Sequence, residues 1–80
     1  MSINSTYKGY SLFNEIENPV LRTWNRCATL YNIQEDVGAG VAQQYAENLT
    51  KSEVGQCTAM LMYIKNKGYE SVKREVMRGQ

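Results

Sequence analysis

Between Asn18 and Val37 the chain reads NPVLRTWNRCATLYNIQEDV, its longest continuous stretch of helical patterning. At 100° per residue, Val20, Leu21, Trp24, Cys27, Ala28 and Tyr31 fall on one side, with the i, i+3, i+4, i+7 spacing of an amphipathic helix. Asn18 can cap that helix, and Pro19 suits the first helical position, where its missing N–H costs nothing. Leu30, Ile33 and Val37 lie on a different, roughly opposite side. A helix wet on one side needs only one apolar stripe. The pattern therefore predicts a central helix covered on both sides, by its own chain, by a partner, or by both.

The other elements follow from shorter signals. Residues 1–10 are polar and small and read as a flexible tail that orders only by docking. Ser11 can open a short helical turn, LFNEIE, whose Leu12, Phe13 and Ile16 share a face, pack back on the central helix and stop at Asn18-Pro19. Gly38-Ala39-Gly40 reads as a helix end and turn. A phosphate loop would need a strand before it and Lys-Ser or Lys-Thr after it. From Gly40 or Val41 to about Asn48, Val41, Ala42, Tyr45, Ala46 and Leu49 predict a second helix. Thr50-Lys51-Ser52-Glu53 matches the capping box and opens a helix with Val54, Cys57, Met60, Leu61 and Ile64 as its stripe, ending at Gly68. Tyr69 to Arg78 forms the last helix, with Tyr69, Val72 and Val76 inward and Glu70 to Arg74 as a supporting pair. No segment carries a strand signal, so no strand is expected. The expected fold is all-α: a compact bundle of four helices plus a short N-terminal helical turn around a central helix at about 18–37, with residues 11–80 as one domain.

Length sharpens this picture, because eighty residues bury only about 60–65% of what the unfolded chain exposes. Self-association adds core without adding chain, which makes a homo-oligomer an expectation. Nine Lys plus Arg against eight Asp plus Glu give a net charge of +1, which argues against binding of nucleic acid through bulk charge. No segment is apolar enough to span a bilayer or to serve as a secretory signal, so a cytoplasmic location is expected. Cys27 and Cys57, both on apolar faces, read as buried free thiols. With two cysteines and no histidine, neither an ordinary zinc site nor the usual general base is available, and no cofactor, metal or catalytic residue is assigned. Glu35-Asp36 point about 100° apart on a helix and do not share a proton.

Two candidate surfaces remain. The first is an oligomer or partner interface made of Leu30, Ile33 and Val37 with Arg22 and Arg26 as its polar rim, joined by Gly55, Ala59 and Met62, where small residues four apart would let another helix approach. The second is a basic, tyrosine-containing C-terminal part, Tyr63, Lys65, Lys67, Tyr69, Lys73, Arg74 and Arg78, which could contact phosphates and stack bases. Tyr31 and Tyr45 are expected in the core. Tyr7, Tyr10, Tyr63 and Tyr69 are expected to be more exposed. The functional expectation is a small non-enzymatic interaction or regulatory protein that binds another protein and itself, of the kind common among adaptors, inhibitors and virus-encoded accessory proteins, an analogy with no motif behind it. The alternative is a binder of nucleotides or single-stranded nucleic acid through the C-terminal part.

Overall fold

The computed structural model describes residues 6–79, and four helices built around the predicted central one dominate it. Helix α1 spans Pro19–Val37, and the Asn18 side chain accepts hydrogen bonds from the backbone N–H of Val20 (3.0 Å) and Leu21 (3.1 Å). Helix α2 spans Ala39–Ala46, α3 Lys51–Lys67 and α4 Tyr69–Arg78. Helix α2 starts one residue earlier and ends two residues sooner than the periodicity predicts. Gly38 ends α1 and starts α2, just as Gly68 joins α3 to α4. Both glycines have φ near +100° (106° and 92°), where side-chain-bearing residues are strained, and this lets one residue both stop a helix and turn the chain. The capping box is formed in both directions: the Thr50 N–H donates to Glu53 Oε1 (2.8 Å), and the Glu53 N–H donates to Thr50 Oγ1 (3.2 Å).

The N-terminal segment departs from the expectation. Thr6–Tyr7 (β1) and Tyr10–Ser11 (β2) pair antiparallel, with Thr6 opposite Ser11 and Tyr7 opposite Tyr10. Lys8 and Gly9, both at positive φ, form the two-residue turn between them, the geometry that matches strand twist. Residues 6–10 thus form part of a hairpin packed on α1; residues 1–5 of the predicted tail lie outside the described residues. The expected helical turn at LFNEIE is absent, because the chain from Leu12 to Asn18 follows α1 without helical hydrogen bonding. Leu12 is fully buried, Ile16 is half-buried and Phe13 is exposed.

The core gathers Leu12 from the N-terminal segment, Trp24, Cys27, Ala28 and Leu30 from α1, Cys57 and Ile64 from α3, and Val72 and Val76 from α4. Trp24 lies at its centre, 0% exposed. The Tyr10 ring meets it edge-on at 6.0 Å, and Tyr69 lies against it at 5.3 Å. Tyr69 also stacks on Tyr31, with centroids 4.7 Å apart. Tyr10 is therefore packed on the core ring system, contrary to the expected exposure, while Tyr69 lies inward as the α4 stripe predicts and not exposed as its place among the outer tyrosines suggests. Both thiols are free and buried, and Cys27 Sγ lies 3.6 Å from the carbonyl oxygen of Cys57. The Cys27 thiol is pushed up by its hydrogen bond to Cys57 and by burial, so Cys27 holds its proton.

Candidate functional site

The second stripe of α1 does not form an open face. Leu30 is buried in the core and Ile33 is 2% exposed. Only Val37, at the end of the helix, is free, at 56%. The two arginines proposed as a polar rim are staples instead. Arg22 Nη1 donates to the carbonyl of Ile16 (3.0 Å). Arg26, 6% exposed, donates from Nε to the carbonyl of Leu12 (3.2 Å) and pairs through Nη2 with Glu53 Oε2 (3.4 Å). Asn14 completes the clamp by donating to the carbonyls of Ser11 (2.9 Å) and Arg22 (3.4 Å). At the far end, Lys8 and the Tyr7 hydroxyl both reach Asp36 at 2.8 Å and tie the hairpin to the last turn of α1. Lys8, and then Tyr7, hold the Asp36 carboxyl below the usual carboxylate range. The side of α1 that the periodicity left uncovered is thus closed by the chain's own N-terminal segment together with α2 and α3.

The C-terminal basic set is also dispersed. Tyr69 is committed to the core: burial pushes its phenol up to about 12, and its hydroxyl accepts a hydrogen bond from Asn32 (3.2 Å). The Tyr63 hydroxyl donates to Glu75 (2.9 Å), and Lys67 pairs with the same carboxylate (3.5 Å) while its ammonium lies 5.2 Å from the centre of the Tyr63 ring. One acid therefore occupies both the tyrosine and the lysine. Lys73 is half-buried on a different side of α4 from Arg74 and Arg78. Those two arginines line a shallow depression with Lys67, Ser71 and Glu75. Among the described residues, both tyrosines of this segment are thus engaged within the chain, Tyr63 by Glu75 and Tyr69 by Trp24 and Tyr31.

What the fold does bring together is the outer face of α3. Gly55, Ala59 and Met62 are all exposed on it, Met62 at 62%. A groove runs along each side of this low ridge. One, of about 530 Å³, lies against the start of α1 and is lined by Pro19, Val20, Thr23, Ala59, Met60 and Tyr63 together with Gln56. The other, of about 640 Å³, lies toward α4, between Tyr31, Gln34 and Tyr69 on one wall and Leu61, Met62 and Lys65 on the other. It continues past Gln34, Thr58 and Leu61 into a smaller apolar hollow of about 180 Å³ floored by Leu30, Ala42 and Cys57. Part of this site, Gly55, Ala59 and Met62, was legible as helical spacing. The groove walls, Val20 and Tyr31 above all, were not, because they come from another helix.

Gly55 stands in the middle of α3, and a methyl group added there would meet nothing within 4 Å. Helical glycine costs about 1 kcal/mol relative to alanine. Gly55→Ala is therefore expected to raise the unfolding free energy by about 1 kcal/mol and Tm by about 4–8 °C, measured by denaturant and thermal unfolding. A loss of stability would show a contact at this position within the chain.

No three metal-ligating side chains gather among the described residues, and no described helix is long and apolar enough to cross a membrane. No protein-family model matches the chain, and no curated protein or solved structure proved similar to it.

Proposed function

We propose that the protein is a non-enzymatic helical interaction module that acts by receiving a helix of another protein on the outer face of α3. One observation carries this reading: a low, exposed ridge at Gly55 and Ala59 is flanked on both sides by apolar grooves. A helix laid on such a ridge can approach closely, while side chains on either side of its contact stripe enter the two grooves. Groups that converge for chemistry are not what lines these grooves. Their walls are mainly apolar side chains and neutral amides and hydroxyls, with Glu35 and Lys65 as the charged members of the larger one.

A displayed library of helical peptides, selected on the wild-type protein, tests the reading. Selected peptides are expected to bind Ala59→Arg and Met62→Glu at least about tenfold more weakly, since either change puts an unpaired charge into a desolvated contact. Val37→Glu, an equally exposed apolar position away from the grooves, serves as the control and should bind normally. Peptides that are indifferent to Ala59→Arg and Met62→Glu would place recognition elsewhere.

A further inference from the structure

We infer that the helix received on the grooved face of α3 carries acidic side chains at both ends of its contact and belongs to a different protein, not to a second copy of this chain. The inference rests on the docking reading above and names the partner's chemistry. Lys51 and Lys65 are both exposed on α3, fourteen residues apart, which is about 21 Å along the helix. They bracket Gly55, Ala59 and Met62, and they fall within about 40° of each other around the helix axis. Neither makes an ion pair with a described residue, whereas Lys8, Arg26 and Lys67 each have a carboxylate within 3.5 Å. The sole acid of α3, Glu53, is spent on the Thr50 N–H and the Arg26 guanidinium. The outward side of α3 thus presents two free cations around an apolar centre and no free carboxylate. On α1, Glu35 lines the larger groove together with Lys65.

This pattern selects against self-pairing. Two copies joined through α3 in antiparallel fashion would set Lys51 against Lys65 and so oppose like charges at both ends of the contact. A foreign amphipathic helix with carboxylates two heptads apart meets both lysines at once, and its apolar stripe, at i, i+3/i+4 and i+7, enters the grooves between them.

The test uses three helical peptides, each about 21 residues long, with one common leucine and alanine face. They differ only at two flanking positions fourteen residues apart, which hold Glu, Gln or Lys. Each is titrated against the full chain at about 0.05 M and about 0.5 M salt. The Glu peptide is expected to bind about tenfold more tightly than the Lys peptide at low salt, with the gap closing at high salt. The double variant Lys51→Glu with Lys65→Glu is expected to reverse the order; both side chains are exposed, so the fold is kept. Equal binding by all three peptides, with loss on Met62→Glu, overturns the acidic partner while the docking reading stands. A wild-type dimer in sedimentation that Met62→Glu dissolves makes the occupant a second copy and overturns the inference in another way. Binding by none of the peptides, or binding that ignores Met62→Glu, overturns both.

Discussion

Trp24→Ala is expected to lower Tm by at least about 15 °C or to abolish the cooperative transition altogether. Truncating a buried aromatic residue costs about 3–5 kcal/mol, and an eighty-residue domain holds only about 4–12 kcal/mol in all. Trp24 is 0% exposed and supports the Tyr10 and Tyr69 rings, so the loss extends to the hairpin and to α4, neither of which is contiguous with it in sequence. The indole N–H, buried, finds no hydrogen-bond partner among the described residues. An orphaned donor carries a desolvation cost, which makes Trp24→Phe the informative companion. It removes the donor and keeps most of the apolar area, and it should stay within about 1.5 kcal/mol of wild type. Chemical denaturation of the two variants side by side checks both expectations; a Trp24→Ala protein with unchanged Tm would overturn the core assignment.

The second large effect is expected at Arg26. Arg26→Ala removes a charge-assisted hydrogen bond to the buried Leu12 carbonyl, leaves that carbonyl unpaired, and strands Glu53. The expected loss is about 2–4 kcal/mol, most of it from the hydrogen bond, because Glu53 keeps about a third of its side chain in water and the ion pair is discounted accordingly. In hydrogen exchange, protection should fall first in residues 6–17, while α3 and α4 remain protected longer. Glu53 adds a pH dependence to the same clamp. Its carboxyl is held below the ordinary value by the Thr50 backbone N–H and, after that, by Arg26. A carboxyl with a depressed folded pKa stabilises the protein fully above its unfolded value, about 4.3, and loses that contribution as pH falls through the folded value. Wild-type stability should therefore decline below about pH 4.3, and Glu53→Gln should show a shallower decline from a lower plateau. Equal acid slopes in the two proteins would show that Glu53 is not depressed by folding.

Four helices and the central tryptophan were legible in the sequence because their signals are local. Asn18-Pro19, Thr50 with Glu53, Gly38 and Gly68 each act within a turn of the helix they start or stop, and the Trp24 face repeats at helical spacing over three turns. The hairpin was not legible, since strands of two residues are too short to show alternation and Lys8-Gly9 is a weaker turn signal than Asn-Gly. The basic segment misled for a related reason. Charge counted along α3 and α4 cannot reveal that Glu75 occupies both Tyr63 and Lys67, or that Tyr69 lies against Trp24.

By itself, then, the sequence determined where the four helices lie and that the Trp24 face of α1 holds the core, although it also suggested a helical turn at LFNEIE that does not form and placed Val20, which is exposed, on the core face. What covers the other face of α1 was a tertiary matter. Leu30, Ile33 and Arg26 have the same helical spacing whether their cover is a second copy or the chain's own N-terminal segment with α2 and α3. The spacing states that apolar surface must be covered, and only the fold states by what. Arg26 makes the point at the scale of one side chain. Its partners, Leu12 and Glu53, lie fourteen residues before it and twenty-seven after it, and the long, flexible guanidinium stem carries no sequence mark that distinguishes a solvated rim from a buried clamp. The grooves beside α3 belong to the same class, because a groove is a relation between two helices and periodicity describes only one.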